Sequence, residues 1–560
     1  MVVQSEVKAQ AAARAGARAP GATRLGLLGA LVTLALTAAG APAAAAAIGR
    51  HEIYTLPLPS GLTPSSATYT PSGRVLVAST KPGQHGDRDV TLVVMDDDGG
   101  AARTIFSQTA PARPKDNGLR YMIFPDNKRI FLGDFVLECA RSLDDCGASS
   151  LLPVTYPAEV SDGDHIAHRW SEMIVAPDNR HIAWTTLLAN FSALVFTGEL
   201  QKQGASYVIA NPRIVSTLDP FVKDPDHPDG VIPQAFRGGE VKQFVHGGGG
   251  ISLAGGRERD IADSVVQHLA SGEMETITNT AGYDETTIFS PDERLGIVMT
   301  TRFSPGTDLA ILGAMPRPYA DSLNMGLNMI AYTYGVTGVR ASRPGNIGPA
   351  LIDIAASKTQ DGYMGINLNT QDEWVFRSPM SWRPSGDKAL WIEARRGGGP
   401  RRVQIVRLPD YKPGPQVAAQ TTPSDMPYAV SDMSMVKTYA ATSKDVDVKV
   451  YGRRSGYITY RRSPGGVIEK TYVDFSDAPG MVYSGCETMQ ANPRGRSVYV
   501  ADLTLSGSKP GVMKLKMTFG PITGERPAEL ILTPDESGEP ASRGHTEFGG
   551  RRHSVADLVP

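Results

Sequence analysis

The stretch Thr287-Ile-Phe-Ser-Pro291-Asp-Glu-Arg-Leu-Gly-Ile297 sets two short β-type runs on either side of a Pro-Asp turn. Proline presets φ for a tight turn, and Asn, Gly or Asp beyond it accepts the positive φ that a hairpin needs. The same pattern recurs along the chain. It reads Ala67-Thr-Tyr-Thr-Pro71-Ser-Gly-Arg-Val-Leu-Val77, Tyr121-Met-Ile-Phe-Pro125-Asp-Asn-Lys-Arg-Ile-Phe131 and Met173-Ile-Val-Ala-Pro177-Asp-Asn-Arg-His-Ile-Ala183. Later copies are Met380-Ser-Trp-Arg-Pro384-Ser-Gly-Asp-Lys-Ala-Leu390 and Met489-Gln-Ala-Asn-Pro493-Arg-Gly-Arg-Ser-Val-Tyr499. Further strands such as Val90–Met95 and Val403–Leu408 lie between copies, so each repeat holds about four strands. A four-stranded sheet of this size cannot bury both faces alone, and radial stacking solves that while protecting the edges.

The fold class is therefore all-β, a single β-propeller. The turn prolines are spaced by 54, 52, 114, 93 and 109 residues. The 114-residue gap holds a degenerate unit around Val241–Ala254, and the 109-residue gap another from Val446–Tyr451, Tyr457–Arg462 and Val467–Phe475. Eight units are counted, or seven blades if one irregular stretch is an insertion. The propeller is expected over 48–540, a C-terminal tail over 541–560, and the strand His51–Leu58 is expected to close the ring.

These hairpins resemble the PD40 (WD40-like) repeats of TolB-like β-propellers, whose turn reads Phe-Ser-Pro-Asp-Gly; Phe289-Ser-Pro-Asp-Glu293 comes nearest, with Glu in place of Gly. The resemblance covers most of 51–535 and implies the fold far more than an activity. It implies neither the N-terminal α/β domain of TolB, for which 1–66 leaves no room, nor a prolyl-oligopeptidase-type hydrolase domain, since Gly-x-Ser-x-Gly is absent. Oligogalacturonate lyases, bare propellers with a His-lined axial metal site, offer an analogy without a motif match.

Composition narrows the function. The 560 residues carry 56 Lys+Arg against 58 Asp+Glu, which excludes a general nucleic-acid or polybasic membrane surface. Residues 1–24 are basic, Leu25–Ala39 is an uncharged apolar run of 15 residues, and Ala43–Ala47 follows with small residues. This reads as a secretory signal peptide over 1–47, too short to span a bilayer, and predicts a secreted or periplasmic protein without a membrane span. Of three cysteines, Cys139 and Cys146 lie seven residues apart and are expected to pair in an oxidising compartment, leaving Cys486 free.

Candidate site residues come from aligning the loops that lead into the inner strands. Six positions before the turn proline lie Glu285 and Glu487, each followed by Thr, and Asp284 precedes the first. Converging carboxylates divide into acid and base when their environments separate their pKa values. The third repeat is led in by Asp162-Gly-Asp-His165-Ile-Ala-His168-Arg169-Trp170-Ser-Glu172. Here His168 is an alternative general base, and His165 with His168 could hold a divalent metal ion, the one cofactor suggested. Arg120, Arg169 and Arg377 are suited to clamp an oxyanion, with Glu172 beside them. His246 precedes four glycines where backbone can approach a ligand closely. Residues 303–347 interrupt the fifth repeat with a partly helical insertion, either a lid or a helical patch covering one blade's side; Asp321 is placed to cap a helix, and Tyr319 and Tyr332 offer aromatic contacts.

Two functions from different classes follow. One is a secreted hydrolase or lyase cleaving a C–O bond in polymer fragments, carbohydrate or aromatic ether or glycoside, at the channel mouth. Its acid and base are Glu285 and Glu487 or His168; Arg120, Arg169, Glu172, Asp284, Arg377, Tyr319 and Tyr332 bind substrate. The other is a non-catalytic binding or scaffolding propeller of the cell envelope. A deep roofed pocket favours the first, a mouth plugged by paired charges the second. Neither class implies an oligomeric state.

Overall fold

The computed structural model describes residues 48–560 except 164, 190–191, 257–260, 319–324, 442–445, 464–466, 493 and 524–526. The expected signal peptide over 1–47 lies outside the described residues, as do Tyr319 and Asp321. No helix among the described residues is long and apolar enough to cross a membrane.

Six sheet units follow one another along residues 52–407, each built on the sequence-predicted inner hairpin, and the second and third are joined into one nine-stranded sheet by the parallel pairing of Ser206–Ile214 with Ser149–Thr155. Their inner strands are Ser66–Tyr69, Tyr121–Ile123, Ile174–Val175, Glu240–Val245, Asp284–Phe289 and Trp374–Trp382. Numbered in that order, the sheets are blades one to six. Blade six has only three strands of its own, and Glu52–Thr55 supplies the fourth by pairing antiparallel with Arg401–Arg407. The expected closing strand thus does close the ring.

The count of seven or eight blades needs correction. Once Glu52–Thr55 occupies the edge of Arg401–Arg407, later strands have no ring to join. They form instead one antiparallel sheet of eight strands, from Val446–Tyr451 to Arg551–Ser554. Sequence reading took two of its hairpins for blades because long alternating strands look alike in both settings. Ser497–Gly507 alternates buried and exposed positions along most of its length, as a sheet with one covered face requires. Pro493 itself lies outside the described residues. Residues 541–560, expected as a tail, contribute the strands Arg543–Phe548 and Arg551–Ser554 and bury Val555 and Leu558.

The turns behave as their sequences require. Gly73, Asn127, Asn179, Glu293 and Gly386, each two residues beyond the turn proline, all take positive φ. The turn aspartates have a second task. Asp292 accepts from the backbone N–H of Gly414 at 2.8 Å and from the Tyr411 hydroxyl at 2.7 Å. Asp178 accepts from the Thr422 N–H at 3.2 Å, and the Gln420 N–H reaches Gly247 O at 2.9 Å. The segment leaving blade six is therefore strapped across the turns of blades five, four and three. It meets the outer strand of blade three where Val430 and Ile214 exchange backbone bonds.

The insertion of blade five lies between the strands Leu295–Thr300 and Ala350–Asp353 and is partly helical, as expected. It is not free to act as a lid. Ile311, Leu312, Met315, Leu327 and Ile330 are buried in one apolar cluster with Tyr460, Tyr472, Tyr499 and Met513 of the eight-stranded sheet. Thr546 Oγ1 donates to Ile311 O at 2.7 Å, and the Tyr483 hydroxyl to Pro316 O at 3.2 Å. Cys139 and Cys146 form a disulfide, with Cys486 free and exposed.

Candidate functional site at the axial mouth

The starts of the inner strands gather charged side chains at one mouth of the ring. In blades four, five and six the inner strand carries a register shift there: Val241/Gln243, Asp284/Thr287 and Arg377/Met380. Extra residues of this kind, one in blades four and five and two in blade six, bend the strand and re-aim side chains, so the bulges supply the site's direction.

Lys242 sits on the blade-four bulge, with Nζ 3.1 Å from both Glu240 Oε2 and Glu285 Oε1. Glu285 also accepts from the Tyr283 hydroxyl at 3.1 Å. Arg120 of blade two lies 3.2 Å from Glu172 of blade three. Burial disfavours charge on Lys242, but the Glu240, Glu285 and Glu172 carboxylates outweigh it and hold the ammonium above its ordinary pKa. For Glu172 burial again opposes ionisation, and Arg120 and Lys242 overcome it. Glu240 differs. Burial pushes its carboxyl up despite Lys242, and the neighbouring Glu285 and Glu172 add to the rise.

Tyr332, from the insertion, has its ring 6.3 Å from that of Tyr283. Arg340 donates to Phe376 O at 3.2 Å and to the Tyr332 hydroxyl at 3.4 Å. Beside them lies Arg377, whose buried Nε has no hydrogen-bond partner and which forms no salt bridge among the described residues. Burial first, then the charges of Arg340 and Arg401, pull its guanidinium down to about 10.

Several sequence candidates sit elsewhere. Glu487 belongs to the eight-stranded sheet, where its carboxylate accepts from the Tyr472 and Tyr499 hydroxyls, each at 2.7 Å. Arg317 and Lys470 approach it at 3.4 and 3.5 Å. Burial opposes its ionisation, yet Arg317 and Lys470 bring it down to about 2. The grouping of Glu285, Glu487 and His168 around one cavity is therefore not formed, because Glu487 is not on the ring. His168 Nε2 lies 2.5 Å from Asp134 Oδ2. Arg169 donates to the other Asp134 oxygen at 2.7 Å, and Tyr156 to the same oxygen at 3.0 Å. Burial raises the Asp134 pKa, but the His168 hydrogen bond and Arg169 charge win and hold it well below the carboxylate range. His168 and Arg169 are thus tied into a buried knot between blades two and three. His165 is buried, with Nδ1 2.8 Å from Gly163 O, and Asp284 is held by Arg302 at 2.6 Å.

Glu240 and Lys242 escaped the sequence alignment because blade four lacks a turn proline. The signal was present. With His246-Gly247 aligned to the Pro-Asp positions, Glu240 falls six residues before the turn, as Glu285 does. Among the described residues, His246, His268 and Glu275 form a group of three whose ligand atoms all lie within 4.8 Å of one another, close enough for a metal.

No protein-family model matches the sequence, and no curated protein matches it. Among solved structures the chain is similar to a putative TolB from Agrobacterium tumefaciens, at 12% identity and TM-score 0.30, covering 66% of this chain and 83% of that one. It is similar to TolB from Acinetobacter baumannii at 13% identity and TM-score 0.29, over 62% of this chain and 63% of that one. The β-propeller domain of the Trilobed protease from Pyrococcus furiosus aligns at 9% identity and TM-score 0.27, over 81% and 97%. The ring assigned to this chain rests on its own strand pairing.

Proposed function

We propose that the protein is a binding propeller of the cell envelope whose axial mouth takes an acidic group at Arg377. The observation that carries this reading is the contrast within the mouth. Arg120 and Lys242 each have carboxylates at ion-pair distance, whereas among the described residues Arg377 has none and keeps a buried donor unbonded. A buried donor without a partner is costly, and an incoming carboxylate is the acceptor that relieves it. Calorimetry with an N-acetylated tetraglutamate peptide and its tetraglutamine counterpart tests this. Only the acidic peptide should bind, and Arg377→Gln should weaken it at least tenfold. Equal binding of both peptides, or by Arg377→Gln, overturns the reading.

A second reading, hydrolysis or elimination at a C–O bond in a carbohydrate or aromatic glycoside, is favoured by Glu240. Burial pushes its carboxyl up, the direction a general acid needs, and Glu285 stands beside it across Lys242. Turnover on a polysaccharide and aryl-glycoside panel, lost by about 100- to 10,000-fold in Glu240→Gln or Glu285→Gln, is the result this reading requires.

A further inference from the structure

The inner strand of blade four begins at Glu240 in the axial mouth and ends beside His246, about 20 Å away at the other end of the ring. At that far end three side chains converge. His246 donates its backbone N–H to Glu293 Oε1 at 2.6 Å, and Nδ1 lies 2.7 Å from Glu293 Oε2. Nδ1 is thereby committed to a carboxylate, and Nε2 is the ring nitrogen left to meet other groups. That Nε2 is buried and has no hydrogen-bond partner among the described residues.

It faces Glu275 Oε2 at 3.8 Å, and His268 Nε2 lies 3.5 Å from the same oxygen. Both separations are too long for hydrogen bonds. They are close to the roughly 3.4 Å that separates neighbouring ligand atoms around a tetrahedral zinc with bonds near 2.1 Å. The two imidazoles are nearly parallel, 7° apart with centroids 5.2 Å from one another. Lys358 from blade five holds the other oxygen, Glu275 Oε1, and leaves Oε2 to point at the histidines.

The repeat pattern adds an independent observation. Four equivalent turns place Asn or Gly at positive φ, namely Gly73, Asn127, Asn179 and Gly386, whereas the blade-five turn places Glu293 there at φ 55°. Glutamate has no ease in that conformation, and here its carboxylate is spent wholly on His246. Carboxylate–histidine–metal relays use this arrangement to fix ring orientation and raise ligand basicity.

We propose that His246, His268 and Glu275 bind one zinc ion, with Glu293 as a positioning residue and the fourth coordination position left to water. Through Glu293 and Lys358 the ion braces blade five against blade four. This site is separate from the axial mouth and does not depend on what the mouth binds.

The test uses the full-length, tag-free chain stripped with chelator and titrated with zinc chloride by calorimetry. One zinc per chain should bind and raise the melting temperature. His268→Ala and Glu275→Gln should each abolish that rise and weaken binding at least tenfold. Glu293→Gln should weaken it by about 10- to 100-fold at unchanged stoichiometry. No stoichiometric zinc in the wild type, or unchanged binding in His268→Ala and Glu275→Gln, overturns the proposal. Should those variants fail to fold, anomalous diffraction at the zinc edge from wild-type crystals decides. A peak bonded to the three named atoms sustains the site; a peak elsewhere, or none, overturns it.

Discussion

Glu487 and Glu285 occupy the same place in the repeat alignment and end in different settings. Glu285 shares Lys242 with Glu240 at the axial mouth; Glu487 faces Lys470 and Arg317 inside the eight-stranded sheet. A buried carboxylate between two cations is costly to neutralise, because the cations stay behind without their counter-charge. Glu487→Gln should therefore destabilise the protein by about 3–5 kcal/mol, read as a lowered urea midpoint, while leaving peptide binding at Arg377 intact. The pH dependence has a definite sign. The folded pKa of Glu487 is lowered from 4.5 to about 2, so its contribution is fully present above 4.5 and is lost as pH falls through about 2. In Glu487→Gln the acid limb of the stability–pH curve should be correspondingly shallower. An unchanged urea midpoint would show that the Tyr472 and Tyr499 hydroxyls and the two cations find other partners.

At the scale of elements, the short strand Glu52–Thr55 carries more than its length suggests. Its four residues pair in register with Gln404–Arg407 and convert a three-stranded last sheet into a closed blade. Removing residues 48–59 should expose the edge of Arg401–Arg407 along with the apolar contacts of Leu56, which is buried against blades one and six. Bare edges of this kind template association. Light scattering of the truncated protein should report oligomers or aggregation, and a monomer with unchanged melting would refute the role given to the strand. The strap over the turns obeys the same logic. Its backbone donors are met by turn aspartates already needed by the hairpins, so hairpin chemistry and the path of the returning chain are the same residues.

On the scale of the whole molecule, the ring and the eight-stranded sheet share one apolar cluster through the insertion. Burying a Leu, Ile or Met side chain contributes about 1.5–3 kcal/mol. Exposing Leu312, Met315, Leu327 and Ile330 by separating the two parts would therefore cost about 6–12 kcal/mol as an upper figure. That is comparable with the total stability of about 5–15 kcal/mol usual for a folded domain. Scanning calorimetry should accordingly show one transition for ring and sheet together. Two resolved transitions would mean that the shared cluster contributes far less than its burial implies.

The sequence by itself determined the repeating hairpin, its turn chemistry, the all-β class, the closing strand and the disulfide pair. Each of these rests on neighbours within a few residues, or on a period that reading along the chain exposes. It also placed Arg120, Glu172, Glu285 and Arg377 at inner-strand starts, since strand register carries each residue to a known end of its blade. Only the tertiary structure decided where the ring stops, because a long alternating hairpin reads the same whether it joins a blade or an independent sheet. The edge partner of Arg401–Arg407, more than three hundred residues upstream, settles that choice. Tertiary structure alone also separated Glu487 from Glu285 and tied His168 to Asp134. The joining of His246, His268 and Glu275 likewise depends on it, since strand pairing and side-chain packing fix those distances and local sequence does not.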